Sequence, residues 1–274
     1  MNSCLLLAPL LLLLVCLSTE ALRYKKEADA AKVSLQGSVT TAAKSSWRYD
    51  KSSKTTLIGK LACSFEPVLS QRGPIGRQQH VDTSHLLRAC NTFVETMRKT
   101  GQHSVARDLE HNVQKFENLY KKAPVGRRQS LLALLEFERE GGIHGPGGIL
   151  MDPSAAVGLL WIRRSISFQA KMYRGVLDEK RDATNAALDA YRTEVQPYHG
   201  WALRRLYTMS FETVTPPRKE ILARMGGYKV HEFGEAEEKA TVRDLEKLLT
   251  LWEPIIVHWK RTYLDLDLED SRQV

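Results

Sequence analysis

The sequence predicts an all-α protein of about eight helices that form one domain. Apolar residues recur three and four positions apart in successive runs between Leu57 and Leu264, as on one face of a helix. No run alternates apolar and polar residues over the length of a strand. The chain of 274 residues is 43% hydrophobic and 26% charged, which indicates a globular core. One domain is favoured because neither side of the glycine-rich stretch at residues 141–148 completes its own apolar face.

The first half of the chain is predicted to contain three helices. One follows Leu57 and ends before the Arg-Gly-Pro break at residues 72–74. The Asp-Thr-Ser sequence at residues 82–84 is a cap for the second helix. Ser104 starts the third, which ends at the Ala-Pro-Val-Gly sequence of residues 123–126.

The second half is predicted to be helical on both sides of the glycine-rich loop. Pro197 is a natural stop for one helix, Gly226-Gly227 ends another, and Pro254 should kink the last. The predicted helices cover residues 130–139, 151–177, 182–196, 198–212, 216–225 and 235–264.

The N-terminus resembles a secretory leader. The apolar run from Leu5 to Leu17 is too short to span a bilayer comfortably, and small residues precede Ala21. We therefore expect residues 1–21 to be a signal peptide, which would place the protein in the secretory-pathway lumen or outside the cell. Since no Lys or Arg precedes the apolar run, an uncleaved anchor is the alternative.

The rest of the chain divides into three predicted parts. Residues 22–57 form a basic flexible arm, which is either an inert linker or an electrostatic contact for anionic lipid. Residues 58–266 form the helical domain, and residues 267–274 form a C-terminal tail. The net charge of +8 favours acidic partners such as membrane surfaces. Nucleic acid is not expected, because neither finger spacing nor an aromatic strand motif is present.

Two cysteines remain in the predicted mature chain. Cys63 and Cys90 both fall on apolar helical faces. They would form either one disulfide in an oxidising compartment or two unpaired buried thiols.

A polar triplet stands out in the third predicted helix. Asp108, Asn112 and Lys115 are spaced i, i+4 and i+7, so they share a sector roughly 60° wide. The adjacent face is apolar and consists of Val105, Leu109, Val113, Phe116 and Tyr120. The triplet is either an ordinary solvated face or a place that holds a polar headgroup while an apolar body goes inward.

Further motifs follow the triplet in a recognisable order. They are the run around Trp161, the Tyr-His-Gly-Trp sequence at residues 198–201, and the Pro-Pro-Arg-Lys-Glu-Ile-Leu sequence at residues 216–222. In this order the motifs resemble the glycolipid transfer protein family over roughly residues 58–266. The resemblance implies a two-layer helical sandwich that encloses the hydrocarbon chains of one sphingolipid and transfers it between membranes. It implies neither an enzymatic step nor a cofactor, and its relatives are cytosolic, which is the alternative location.

The resemblance also implies roles for five side chains at the headgroup. Asp108 would accept hydrogen bonds from sugar hydroxyls or the ceramide amide, Asn112 would bond a hydroxyl, and Lys115 would lie near sugar or phosphate oxygens. Trp161 would lie under the first sugar ring, and His199 would donate to the ceramide carbonyl. Taken singly, Trp161 is also typical of a core residue, His199 of a structural histidine and Lys115 of a surface lysine.

Other family features concern the membrane and the headgroup. Trp201 corresponds to the family's membrane-docking tryptophan. In the ceramide-1-phosphate branch two arginines bind phosphate, and their positions are Val157 and Trp161 here. Arg163 and Arg164 are expected to face elsewhere, so a glycosylated sphingolipid is favoured over ceramide-1-phosphate.

Two other functions remain as alternatives. A secreted helical-bundle ligand for a receptor fits the leader and the helical content, although it does not explain the grouped polar residues. An enzyme is disfavoured, because no nucleophile elbow, zinc-protease motif, paired cysteine motif or phosphate-binding loop occurs. No metal ligands are predicted, and the protein is expected to be a monomer.

Overall fold

The computed structural model describes residues 55–70 and 80–273. Across these residues the chain forms nine α-helices, one for each predicted helical segment although the predicted total was about eight, and the all-α class is confirmed. Their bounds are α1 Leu57–Phe65, α2 Thr83–Lys99, α3 His103–Lys122, α4 Leu131–Glu140, α5 Ala155–Leu177, α6 Ala183–Glu194, α7 Trp201–Val214, α8 Arg218–Gly226 and α9 Glu235–Asp265. A two-residue antiparallel ladder joins β1 (Leu69–Ser70) to β2 (His80–Val81).

Side-chain caps begin five of the helices. In each case a short polar side chain accepts a hydrogen bond from a backbone N–H of the first turn, which would otherwise lack a partner. The caps are Thr56, Asp82, Ser130, Ser154 and Asp182. At the opposite end of α8, Gly227 takes a left-handed conformation with φ of 81°. The predicted starts near Asp82 and Ser130 and the predicted stop at Gly227 are therefore confirmed.

Several predicted boundaries differ from the structure. The helix predicted from residue 151 begins at Ala155, because Ser154 is extended and caps it. The helix predicted to reach residue 196 ends at Glu194, and a short 3-10 turn follows at Gln196–Tyr198. The helix predicted over residues 198–212 spans Trp201–Val214. The last helix, predicted over residues 235–264 with a kink at Pro254, runs as one element from Glu235 to Asp265.

The helices enclose a single apolar core, in the two-layer sandwich that the family resemblance implies. Trp252 of α9 is fully buried at its centre. Its indole makes edge contacts with Phe65 at 5.6 Å and Phe93 at 5.7 Å and stacks with Tyr173 at 6.3 Å between ring centroids. Helices α1, α2, α5 and α9 therefore meet at one aromatic cluster.

The first turn of α5 is fixed by a buried carboxylate. Glu138 of α4 accepts hydrogen bonds from the backbone N–H groups of Ala155 and Ala156, both at 2.7 Å. The Tyr263 hydroxyl of α9 donates to the Ala156 carbonyl at 2.7 Å. Because the positive end of a helix dipole attracts an anion, Glu138 also stabilises α5 electrostatically.

The two cysteines are both free, so the predicted disulfide is absent from this structure. Cys90 is fully buried, as one alternative expected, but Cys63 is exposed. The expectation that Cys63 lies on the apolar face was wrong, because α1 buries Ile58, Leu61 and Phe65 on a different face.

The structure describes the C-terminal end of the chain as far as residue 273, whereas its description begins only at residue 55. The predicted signal peptide and nearly all of the predicted arm lie outside the described residues. The segment predicted as a tail packs onto the domain through Leu268, which is 2% exposed. None of the described helices has the length and apolar character that crossing a bilayer requires.

Candidate functional site

Helix α3 carries the polar triplet along the edge of its buried face. Leu109, Val113 and Phe116 are buried in the core. Beside them Asp108 is exposed, whereas Asn112 and Lys115 are half-buried. The triplet therefore lies at the boundary between core and solvent, where a headgroup can be bound while an apolar chain is buried.

A close approach of α5 to α3 forms the base of the site. A Cβ atom on Gly158 would lie 2.5 Å from the Asn112 carbonyl oxygen and 3.2 Å from the Lys115 Cβ. Only glycine lets the two backbones come this near. Trp161 follows Gly158 by about one helical turn, so its position lies on the side of α5 that crosses α3.

Trp161 and His199 form the flat wall of the site. The indole is half-buried, and its ring stacks on the imidazole with centroids 6.0 Å apart and planes 28° apart. His199 is 6% exposed, and its Nδ1 lies 3.1 Å from the Tyr191 hydroxyl oxygen. The Tyr207 ring is 5.0 Å from the imidazole. An indole that is partly open to solvent and supported from behind offers a flat surface for a sugar ring.

His199 is neutral over the physiological pH range. Burial, together with the nearby charges of Arg204 and Arg164, lowers its pKa to about 4. A neutral imidazole whose Nδ1 accepts from the Tyr191 hydroxyl carries its proton on Nε2. In that tautomer, Nε2 can donate a hydrogen bond to an amide carbonyl.

Asp108 belongs to the same electrostatic environment as this wall. The surrounding protein removes water from the Asp108 carboxyl, and this desolvation raises its pKa. The nearby His111 and Arg107 oppose the shift. Much of its own surface remains exposed, which places the carboxylate at the rim of the site. Burial, together with the charge of Asp108, raises the pKa of Tyr207 to about 12. The Asp108 carboxylate therefore acts electrostatically on the hydroxyl of Tyr207, whose ring contacts the imidazole of His199.

Lys115 is paired with a residue that sequence reasoning missed. Its Nζ lies 2.6 Å from Asp152 Oδ1, and the two side chains are 23% and 61% exposed. Asp152 lies two residues before Ser154, the cap of α5. This position is the feature of the sequence that could have identified Asp152 as part of the site. The pair means that the cation of the triplet is already neutralised by a carboxylate.

The two arginines after Trp161 lie differently from the prediction. The Arg164 guanidinium is 5.1 Å from the Trp161 ring centroid and 3.3 Å from that of Tyr198. The expectation that Arg164 faces away was wrong, because residues three apart on a helix are neighbours and the long side chain reaches back. Arg163 does point elsewhere, and its Nη2 lies 2.6 Å from both carboxylate oxygens of Glu269.

Trp201 is separated from the buried His199 by one residue but is open to solvent. It is the first residue of α7, and 75% of its surface is exposed. Arg205 and Met209 follow at intervals of four residues and are also exposed, so all three share one face of α7. An aromatic, a cation and a flexible apolar side chain together suit a bilayer interface.

The described part of the chain brings no three metal-ligating side chains together into a possible metal site. The arrangement offers hydrogen-bond donors and acceptors, a flat aromatic wall and an adjacent apolar interior. These features serve binding.

The chain is similar to proteins of known fold. The family model described as glycolipid transfer protein matches residues 81–227, which is more than half of the chain. Glycolipid transfer protein of Xenopus tropicalis is 23% identical over 203 residues, covering 71% of this chain and 94% of that protein. The GLTP-fold of FAPP2, which selects simple glycosphingolipids, superposes with a TM-score of 0.66 at 20% identity over 80% of this chain and all of that one. Human ceramide-1-phosphate transfer protein in complex with its lipid superposes with a TM-score of 0.66 at 18% identity and the same coverage.

Proposed function

Because the chain belongs to the glycolipid transfer protein family, we propose that it is a non-enzymatic protein that binds one sphingolipid and transfers it between membranes. The hydrocarbon chains enter the apolar interior between the helical layers. Desolvation of these chains supplies the driving force, at roughly 0.8 kcal/mol for each buried methylene group. The headgroup binds at the mouth to Asp108, Asn112, Lys115, Trp161 and His199, and no covalent step is required.

The headgroup we propose is a sugar, and the charges around the mouth are the observation that carries this choice. Lys115 is paired with Asp152 at 2.6 Å, and Arg163 is paired with Glu269. Asp108 adds a carboxylate at the rim. Arg164, the cation over the Trp161 ring, donates to the Asp270 carbonyl. A phosphate dianion would therefore find each of these three cations already engaged, which is costly at a partly buried site. Sugar hydroxyls instead find a carboxylate acceptor and an amide that both donates and accepts.

The overall fold is equally similar to relatives with different headgroups. FAPP2 and human ceramide-1-phosphate transfer protein superpose on this chain with the same TM-score of 0.66. The choice of headgroup therefore rests on the site and not on the fold. Ceramide-1-phosphate transfer by the same fold is the alternative that the experiment below distinguishes.

Ceramide and membrane contacts complete the proposal. His199 donates from Nε2 to the ceramide carbonyl, because its lowered pKa keeps the ring neutral and Nδ1 bonded to Tyr191. Trp201 docks at the membrane surface with Arg205 beside it. We expect the protein to dock transiently as a monomer, because the mouth must open to a bilayer to load and release lipid.

The compartment depends on how residues 1–21 are processed. A cleaved leader would place the domain on the side of the membrane where sugar headgroups face, which agrees with the proposed ligand. N-terminal sequencing of the protein recovered from cells and from culture medium tests this. A mature chain that begins near Leu22 supports secretion, and retention of Met1 in a cytosolic fraction contradicts it.

The decisive experiment is transfer between phosphatidylcholine vesicles by the full chain. Fluorescent glucosylceramide should move faster than fluorescent ceramide-1-phosphate. Asp108→Val should abolish transfer while the circular dichroism spectrum keeps its helical signal, because the headgroup loses its charged acceptor. Glu110→Val is the matched control, since it removes another exposed carboxylate of α3 and should leave transfer unchanged. Normal transfer by Asp108→Val would refute the site.

Asp152 provides a separate test of the charge argument. Asp152→Asn keeps the size of the side chain but releases Lys115 as a free cation. We expect the ratio of ceramide-1-phosphate to glucosylceramide transfer to rise about two- to fivefold, since partly exposed ion pairs contribute about 0.2–1 kcal/mol. Asp265→Asn, which breaks a surface pair with Arg261, should not change the ratio. A native chain that already prefers the phosphate lipid would refute the assignment of a sugar.

A further inference from the structure

The C-terminal segment of residues 266–272 is fastened beside the proposed headgroup site. Leu266 and Leu268 are 5% and 2% exposed, so they anchor its first half in the core. The Asp270 carboxylate accepts the backbone N–H of Leu150 at 3.0 Å, and Arg272 donates to the Leu150 carbonyl at 2.9 Å. The segment is thus tied to the loop before α5 as well as to the core.

The same segment contacts both arginines of α5. Arg163 Nη2 lies 2.6 Å from each carboxylate oxygen of Glu269, with the two side chains 6% and 19% exposed. Arg164 Nη2 donates to the backbone carbonyl of Asp270 and lies 3.9 Å from Glu269. Two guanidinium groups therefore share the nearest carboxylate.

The arginines have hydrogen-bonding capacity that the protein leaves unused. Within residues 55–70 and 80–273, the Nε atoms of Arg163 and Arg164 are buried and have no hydrogen-bond partner. An unpaired buried donor costs free energy, and guanidinium is well matched to phosphate oxygens. Arg164 is also next to Trp161, with its guanidinium 5.1 Å from the ring centroid. The cation that a phosphate headgroup needs thus lies beside the site, but its Nη2 is bonded to the Asp270 carbonyl of the C-terminal segment.

We propose that Glu269 and Asp270 are specificity-determining residues, which hold Arg163 and Arg164 against the C-terminal segment and so exclude phosphate headgroups from the mouth. This inference rests on the proposed sphingolipid-binding function. With the segment in place, the Arg163 guanidinium binds the Glu269 carboxylate and the Arg164 guanidinium binds the Asp270 carbonyl. Once these contacts are lost, Arg164 is free on the same turn of α5 as Trp161 and can form charge-assisted hydrogen bonds to phosphate.

The test uses the full-length double variant Glu269→Gln/Asp270→Asn. Both substitutions preserve side-chain size, and together they remove the carboxylate on Arg163 and weaken the bonds to Leu150 and Arg272. Transfer of fluorescent ceramide-1-phosphate and glucosylceramide is measured in parallel, and their rate ratio is compared with that of the native chain. We expect the ratio to rise about tenfold in favour of the phosphate lipid, as for a gained hydrogen bond between charged groups.

Two further variants make the result specific to Arg164. Adding Arg164→Gln to the double variant should return the ratio to the native value. Glu253→Gln is the matched control, because it frees Arg174, a cation of the same helix that is paired with Glu253 at 2.7 Å. That control should leave the ratio unchanged. If the double variant does not fold, Glu269→Gln alone keeps the Asp270 anchor and the Arg164 bond to its carbonyl. It removes only the carboxylate that the two arginines share, so the ratio should rise in the same direction but by less than tenfold.

The outcomes separate this inference from the proposed function. An unchanged ratio in the folded variants, or a rise that persists after Arg164→Gln, would overturn the role of the C-terminal segment while sugar transfer by the native chain stands. Failure of the native chain to transfer either lipid would overturn the proposed function, and the inference with it.

Discussion

The crossing of α3 and α5 at Gly158 is the feature on which the proposed site depends most directly. Gly158→Ala adds one methyl group at this point. Its Cβ would lie 2.5 Å from the Asn112 carbonyl oxygen and 3.2 Å from the Lys115 Cβ. Because the nearest atom belongs to a helix backbone, it cannot rotate away, and α5 must move away from α3.

The size of the effect follows from two opposing contributions. Forcing an extra methyl group into a packed contact costs typically 1–3 kcal/mol, and a rigid backbone neighbour favours the upper end. Alanine in place of glycine within a helix stabilises the folded state by about 1 kcal/mol. We therefore expect Gly158→Ala to lower the free energy of unfolding by about 2 kcal/mol. The displacement also separates Trp161 from Asn112 and Lys115, so sugar-lipid transfer should fall more steeply than stability alone explains.

The assay is urea unfolding followed by circular dichroism, together with vesicle transfer of glucosylceramide at a temperature where every variant is folded. Gly175→Ala is the matched control on the same helix. Its Cβ would lie 2.5 Å from the Ala186 Cβ, so it strains the contact between α5 and α6 instead. It should lose comparable stability but retain more transfer activity.

Two results would refute this reasoning. A Gly158→Ala protein as stable as the native one would mean that the helices are not in close contact at Gly158. Equal loss of transfer in both glycine variants would mean that the α3–α5 crossing has no special connection to headgroup binding.

Two further predictions concern buried polar groups. The pKa of His199 is about 4 in the folded state and about 6.5 when unfolded, so its stabilising contribution is complete above pH 6.5 and is lost as the pH falls toward 4. Unfolding free energies should therefore decrease by up to about 3 kcal/mol more in the native chain than in His199→Phe between pH 7 and pH 4, and parallel curves would contradict the burial of this histidine. Glu138→Ala should cost about 3 kcal/mol in urea unfolding, because it leaves the N–H groups of Ala155 and Ala156 buried without acceptors, whereas the exposed Glu140→Ala should cost little.

Much of the helical framework could be predicted from local sequence. The Asp82 and Ser130 caps, the left-handed Gly227 and the apolar face of α3 follow from short-range rules, and the structure has them. One predicted helix start was wrong because a capping residue lies further along the chain. Ser154 caps α5, which begins at Ala155, four residues after the predicted start at residue 151.

The sequence nominated the residues of the candidate site, and their membership remains a prediction, but it did not indicate the electrostatics of the site. Asp108, Asn112 and Lys115 share one edge of α3 because of their spacing. The stacking of Trp161 on His199 was not predicted and is a finding of the structure. The pairing of Lys115 with Asp152 could not be predicted, since it depends on how the loop before α5 lies against α3. The close approach at Gly158 has the same origin.

The sequence by itself therefore determined the elements and the chemical groups, because helical periodicity and capping act over a few residues. The tertiary structure decided which of those groups are available to bind a headgroup. Arg163 and Glu269 are 106 residues apart in the chain, yet their pairing removes one cation from the neighbourhood of the headgroup. Arg164 lies over the indole that it was expected to avoid. Charge pairing and burial depend on distances between remote segments, and packing of the helices sets those distances.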